Sequence, residues 1–394
     1  MRCGFRLLFI GFFLLASIKL LYFLTTRDLK IMEIDTLGGK AAGNSLKNVA
    51  VFPQSGGSTK FDQPWPLPEK PIIKRIEDLY KLGDYLLVGN FSYSKGLGNL
   101  MFQYAAMVGL AQETHAIFPI SSDNLLRRAF DLNAILVTPE LHDNLLKLAE
   151  GTVLESCCSY KALDLGFTVF RSVKKVEGYF QNFRWFYPGE ASKLVRDEFQ
   201  FLPKIQELAS EHLEHAKARW RLGRAEAANR DKENAENDYK LRFSTETADP
   251  VTVAVHVRRG LDLTMHSRNL KHGHVAAPAD YYERAMYEFQ RQYPNPLFIV
   301  SSDDVGWAMK NLKARNSGEI YYLPRGTERE VAMATMSICD HLIASTGTFS
   351  WWTAFLADDE RNQIIYYKDW PRPLTDLDRM VNKSEYFLPR WRGL

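Results

Sequence analysis

The chain is poor in cysteine: only Cys3, Cys157, Cys158 and Cys339 occur among 394 residues. A fold built on disulfides is thereby excluded. Adjacent cysteines rarely bridge one another, so at most one bridge, from Cys157 or Cys158 to Cys339, is expected, with buried thiols as the alternative. No C-x-x-C or H-x-x-x-H pair is present, and no metal site is expected. The one D-x-D triplet, Asp376-Leu377-Asp378, follows the last strand signal in a proline-flanked segment and reads as solvated. Charge of one sign is also missing. Fifty basic and 47 acidic residues leave a net +3 spread along the sequence, which gives no case for a nucleic-acid partner. There is no internal repeat, no phosphate-loop lysine and no full G-x-G-x-x-G fingerprint followed by an acidic residue about twenty positions on. An NAD-dependent oxidoreductase is disfavoured accordingly.

Only one long apolar run exists, Leu7 to Leu24, flanked by Arg2 and Arg6 before it and Arg27 after it. As a helix it would span roughly 27 Å, close to the thickness of a hydrocarbon core. Lys19 lies near one end, where it can reach the interface. No small-x-small cleavage site follows, so an uncleaved anchor is favoured over a signal peptide, with residues 1–6 cytosolic and the bulk lumenal. Residues 25–80 carry Gly38-Gly39, Gly56-Gly57 and several prolines and read as a stem. Asn90-Phe91-Ser92 and Asn382-Lys383-Ser384 are glycosylation sequons, in keeping with a lumenal body.

The body divides into an amino-terminal lobe, 81–245, and a carboxyl-terminal lobe, 246–394. Residues 205–240 are charged and alanine-rich and read as a solvated helix or helical hairpin inserted in the first lobe. In the second lobe, strand and helix signals alternate. Val251–Val257, Leu297–Ser301, Glu319–Leu323, His341–Ser345 and Gln363–Lys368 read as strands. Asp280–Tyr293, Val305–Arg315, Glu328–Ile338 and Ser350–Ala357 read as helices between them. Such alternation predicts an α/β fold with a doubly wound parallel sheet. In the first lobe, Tyr85–Val88 reads as a strand and Met101–His115 as a helix capped by Asn99, joined by the glycine loop Lys95-Gly96-Leu97-Gly98-Asn99.

Polar groups gather where the strands end. Val251–Val257 runs into Arg258, Arg259 and Gly260, and period-two alternation places His256 and Arg258 on one face. Two guanidiniums at a strand's carboxyl end suit a diphosphate better than a core. Ser302, Asp303 and Asp304 follow another strand, either as helix caps or as acceptors for a nucleobase edge. Thr346, Gly347, Thr348, Phe349 and Ser350 open a helix whose amides suit phosphate oxygens, again with capping as the alternative. Gly96, Gly98 and Asn99 form a second loop of this kind, and the loops together outline a nucleotide-sized site.

These segments resemble a family. His256-Val257-Arg258-Arg259-Gly260 is similar to the H-x-R-R-x-D motif of the α1,2-fucosyltransferases, glycosyltransferase family 11. Gly96–Ala105 resembles that family's G-L-G-N-Q-M-F-Q-Y-A, and Gly178-Tyr179-Phe180-Gln181 its G-Y-F-Q. Phe298–Asp304 with Trp307 resembles its F-x-x-S-D-D-x-x-W, and Ser345–Leu356 its S-T-F-S-W-W-x-A-x-L. The resemblance implies a GT-B-like fold of two Rossmann-like lobes behind a transmembrane helix, in a type II Golgi membrane enzyme. It implies GDP-fucose as donor, no metal or other cofactor, and an acceptor glycan ending in galactose, fucosylated at O-2 with inversion. Arg258 and Arg259 would neutralise the diphosphate. His256 and Asp303 or Asp304 would lie near the guanosine, with Thr348, Phe349 and Ser350 completing the phosphate cradle. Two positions depart from the pattern: Leu100 stands where glutamine is usual, and Leu261 moves the aspartate to Asp262. The general base is not singled out: Asp262, His266 and acids of the amino-terminal lobe are the candidates. The alternatives are transfer to another linkage or to a protein hydroxyl, and a non-catalytic sugar-binding membrane protein. Acceptor recognition is expected from the amino-terminal lobe and the charged insertion.

Overall fold

The computed structural model describes residues 63–394, apart from 95, 156, 164, 168, 188, 235–248, 261, 262, 264 and 317. The apolar run 7–24, most of the stem, and Asp262 lie outside the described residues. Among the described residues, no helix is long and apolar enough to cross a membrane.

Two parallel sheets organise the body. The first is built from β1 (Ile72–Ile73), β2 (Tyr85–Gly89), β3 (Pro119–Ser121), β4 (Ile135–Val137), β5 (Thr152–Glu155) and β6 (Ser172–Gly178). Its halves, β1-β4-β3 and β2-β6-β5, are joined through Ile117, whose amide donates to Tyr85 O (2.8 Å) and whose carbonyl accepts from Leu87 N (2.9 Å). The second contains β7 (Thr252–Val257), β8 (Leu297–Ser302), β9 (Ile320–Tyr322), β10 (His341–Ala344), β11 (Ile364–Tyr366) and β12 (Arg392–Gly393). Its spatial order is β12-β11-β10-β7-β8-β9, with parallel pairing between neighbours. Counted from β7, that is the 3-2-1-4-5-6 order of a doubly wound nucleotide fold, and it reverses between β7 and β10. The expected α/β architecture of two parallel-sheet lobes is observed.

β7 is the central strand because its residues allow nothing else. All six of its residues are buried, and its valines are β-branched and suited to a pleated, doubly covered surface. Val253, Val255 and Val257 pack on Tyr281, Tyr282 and Phe289 of the Ala279–Gln292 helix. Ala254 turns to the other face, into the large core that both lobes share. That shared core is aromatic. Trp352, wholly buried, meets Phe102 at 5.0 Å, Phe199 at 5.0 Å and Phe186 at 5.5 Å between ring centroids. The Thr348–Ala357 helix is therefore fixed against the Leu97–Thr114 helix by large apolar area, the strongest non-directional term available.

The charged segment departs from expectation. It forms one helix, Pro203–Asn234, and is not wholly solvated. Ile205, Ala209, Ala216 and Trp220 are buried along it at helical spacing, and Ile205 and Ala209 join Val331 and Ala334 of the Arg329–Ser337 helix in one apolar cluster. Those four apolar positions are thinly spread among charges, which hides the stripe. The cysteines depart as well: Cys157 and Cys158 bridge each other, and Cys339 is a free thiol. Burial pushes Cys339 up to about 12, so it is inert at neutral pH.

Candidate active site

A cleft of about 1420 Å³ opens at the carboxyl ends of β7 and β10 and is closed on its other side by the amino-terminal lobe. From the second lobe it is lined by Arg258, Asp303, Thr346, Gly347, Thr348 and Phe349, and from the first by Gly96, Gly98, Asn99, Tyr179 and Gln181. Most of the expected residues thus meet at the place where the strand order reverses.

Arg258 is half-buried, with its guanidinium laid against the α-carbon of Gly347. A side chain at Gly347 would overlap that guanidinium, and the backbone there has φ +90°, which also favours glycine. The Arg258 amide donates to Ser345 Oγ (3.2 Å). Gly347 begins the Thr348–Ala357 helix and supplies no side-chain cap, so the first-turn N–H groups point at the cleft as a partial positive charge. Thr346 borders the cleft, and its hydroxyl, itself buried, has no hydrogen-bond partner among the described residues. A guanidinium, an uncapped helix end and an orphaned hydroxyl converge on one spot, which is the equipment for holding an anion.

Asn99 does not cap the first-lobe helix. That helix starts at Leu97 with Gly96 as its cap residue, which leaves the Asn99 side chain for other work. Its amide nitrogen donates to Ser94 Oγ (2.7 Å), and its oxygen accepts from Gln181 Nε2 (3.1 Å) and Thr348 Oγ1 (2.8 Å). One side chain stitches both lobes together at the cleft floor. Gly98 lets them come close: an added Cβ would sit 2.5 Å from Thr348 C and 2.7 Å from Phe349 N.

Several expected residues are placed differently. Arg259 turns from the cleft, with its guanidinium carbon 4.3 Å above the Trp307 ring centroid and an N–H donating to Ala277 O (3.4 Å). It emerges one residue after Arg258 and so leaves on the opposite side. His256 is buried behind Phe349 (ring centroids 5.0 Å) and is hydrogen-bonded through Nδ1 to Ser350 Oγ (3.0 Å). Ser350 is fully buried and also accepts from Ser345 N (2.7 Å), so its hydroxyl braces the loop and is not part of an open cradle. Asp304 is a helix cap, accepting from Trp307 N (2.9 Å), with Ser302 Oγ accepting in turn from Asp304 N (2.9 Å). Asp303 spends its carboxylate on the loop after β7, accepting from Arg259 N (2.6 Å) and Gly260 N (2.8 Å). It still borders both the cleft and a side pocket of about 410 Å³ formed by 301–306, 323–327 and Ala332.

Some cleft residues give little signal in the sequence. The short Ser267–His272 helix lies along the cleft, bringing Arg268 and Lys271, and is nowhere buried. Asp376, exposed as expected, borders the cleft and is paired with Arg379, while Asp378 accepts from Leu374 N (2.9 Å) and Leu377 is buried, so the D-x-D segment is a helix start with its acids towards the surface. Tyr179 and Gln181 were visible only as part of the G-Y-F-Q segment. None of residues 203–227 of the charged helix lines the cleft. Among the described residues, no three His, Cys, Asp or Glu side chains gather as a metal site. Asn90 and Asn382 each accept from the hydroxyl of their sequon serine, at 2.5 and 2.8 Å.

Comparison with known proteins bears on the second lobe. The description Glycosyl transferase family 11 matches residues 230–394. Galactoside alpha-(1,2)-fucosyltransferase 2 of Bos taurus is 34% identical over 144 residues, covering 36% of this chain and 40% of that protein. Galactoside alpha-(1,2)-fucosyltransferase 1 of Oryctolagus cuniculus is 30% identical over 158 residues, 39% of this chain and 41% of that protein. The matched region thus spans about two fifths of these relatives' length. Distant likenesses among solved structures include POFUT1 in complex with GDP-fucose (12% identity, TM-score 0.41, 72% of this chain and 98% of that one). Another is the NodZ alpha-1,6-fucosyltransferase co-crystallized with GDP (13% identity, TM-score 0.36, 73% and 95%).

His256 gives the second lobe a measurable acid sensitivity. Burial first, and the Arg258 charge second, lower it to about 3 from an ordinary 6.5. Between those values the unfolded chain binds a proton that the folded protein refuses, so stability falls as pH drops from about 6.5 towards 3. Unfolding by urea at pH 7 and pH 5 should show the wild type losing about 2 kcal/mol more than His256→Asn. Equal losses would mean that His256 is protonated at little cost.

Proposed function

We propose that the protein is a fucosyltransferase that moves L-fucose from GDP-fucose to O-2 of a terminal galactose, with inversion and without a metal ion. The observation that supports this most is the convergence of Arg258, the Thr346 hydroxyl and the uncapped start of the Thr348–Ala357 helix where the strand order reverses. The diphosphate lies there, and the guanosine reaches into the side pocket beyond Asp303. The acceptor enters from the side of Tyr179 and Gln181. Its oxygen bonds to fucose C1 as the bond from C1 to the β-phosphate oxygen breaks, and the acceptor's proton passes to a base. The electron pair leaves with GDP, and Arg258 and the helix amides are already in place for the charge that develops. These fixed cationic groups supply what a divalent ion supplies elsewhere.

The relatives' names speak of galactosides and the α1,2 linkage, and the site has the shape for a nucleotide-linked sugar. Incubation with GDP-fucose and lactose, followed by NMR of the product, is expected to show an α-fucosyl residue on O-2 of galactose at a rate unchanged by EDTA. Release of GDP with no fucosylated sugar, or a product linked elsewhere, would overturn the acceptor assignment. No GDP release from any mixture would overturn catalysis itself. We also propose a Golgi membrane location, with residues 7–24 as anchor and the body lumenal; glycosidase-sensitive sugar on Asn90 or Asn382 of the full chain is expected, and a cytosolic, unglycosylated chain would refute it.

A further inference from the structure

We infer that the cleft holds a second anion site, separate from the diphosphate site, which takes a negatively charged group on the acceptor glycan: a sulfate or a carboxylate next to the galactose. The inference rests on the proposed fucosyl transfer and names its substrate class.

The Ser267–His272 helix is an odd object on grounds of stability. It has six residues, no buried side chain and no side-chain cap, and an isolated helix of that length does not form in water. It is held from behind: Arg372 N donates to Gly273 O (3.0 Å), and Gly273, at φ +121°, packs closely on Thr375 and Leu377. What that arrangement achieves is to display Arg268, Lys271 and His272 into the cleft. Among the described residues, neither Arg268 nor Lys271 has an acidic partner. The acids of the cleft are already used, Asp303 on the Arg259 and Gly260 amides and Asp376 on Arg379. Donor phosphate is matched by Arg258 and the Thr348–Ala357 helix start, on the β7 and β10 side. Two unpaired cations facing a cleft repel each other and gain only when an anion arrives. The same cleft is lined by Tyr179, Phe349 and Met380, surface suited to the C–H face of a sugar. A sugar ring carrying an anionic substituent matches both features.

The test is calorimetric, on the full body saturated with GDP so that the diphosphate site is filled. Lactose, 3′-sulfolactose and a lactose bearing a terminal glucuronate are titrated in turn. The expected result is binding of one or both charged sugars on the order of tenfold tighter than lactose. The sulfate and carboxylate arms then show which anion is preferred. In Arg268→Gln/Lys271→Gln, the advantage disappears while GDP affinity is unchanged. Equal affinity for all three sugars would overturn the inference, as would a double variant that loses GDP, since the cations would then serve the donor. Because binding is read without turnover, a failure of transfer leaves this result readable, and transfer to lactose with no preference for charge sinks this inference alone.

Discussion

Replacing Arg258 by alanine should lower the rate of fucosyl transfer by about 100- to 1,000-fold while the protein stays folded, the loss usual for one preorganised donor at a developing anion. The side chain is half-buried at the mouth of a cleft and lies on Gly347, so its removal opens no cavity in either core. Arg258→Lys should recover little, since lysine restores the charge but not the planar two-pronged donor that fits a diphosphate. Arg259→Ala should cost less than about tenfold in rate, because that guanidinium sits over Trp307 and the loop is held through its backbone by Asp303. Turnover numbers and thermal melts of the three variants check the asymmetry. Equal losses at 258 and 259, with intact melts, would mean that the two arginines act together on the nucleotide.

Gly98→Ala should be nearly as damaging by a different route. The new methyl would lie 2.5 Å from the Thr348 carbonyl carbon and 2.7 Å from the Phe349 amide, both backbone atoms that cannot rotate away. Overpacking of that kind costs about 1–3 kcal/mol even where side chains can adjust. Relief requires the Leu97–Thr114 helix to back off from Thr348–Ala357, which lengthens the Asn99–Thr348 hydrogen bond and widens the cleft at the phosphate site. A fall in melting temperature of several degrees together with at least a tenfold loss of transfer is expected. Gly96→Ala is the control: its added carbon would meet only the Asn99 side chain, at 3.7 Å, and should be tolerated. If Gly98→Ala behaves like Gly96→Ala, the lobes are not pinned at this contact.

The second lobe was legible because each of its strands is short, apolar and bounded by polar loops. Val251–Val257 was read one residue long, and the doubly wound parallel sheet followed from the alternation, while the order of its strands was not read. The convergence of Arg258, Thr346–Phe349 and the Gly96–Asn99 loop was legible for the same reason, since the polar residues fall at strand ends or helix starts. Orientation beyond the backbone was not. Neighbouring arginines look alike in a sequence, yet only the partners, Gly347 for one and Trp307 for the other, decide which faces the ligand. Ser350 and Asp304 carry the right chemistry for a ligand, but nearby amides claim it first, as short polar side chains at helix starts often allow. The apolar stripe of Pro203–Asn234 was diluted by charge, and the Ser267–His272 helix has no periodic signal at all. The Cys157–Cys158 bridge ran against the rarity of such pairs.

The most direct test is a crystal structure of the GDP complex. The expected density places the β-phosphate within hydrogen-bonding distance of the Arg258 guanidinium, the Thr346 hydroxyl and the first amides of the Thr348–Ala357 helix, with the guanine beyond Asp303. A diphosphate bound instead against Arg268 and Lys271, with Arg258 untouched, would contradict the assignment of the donor site.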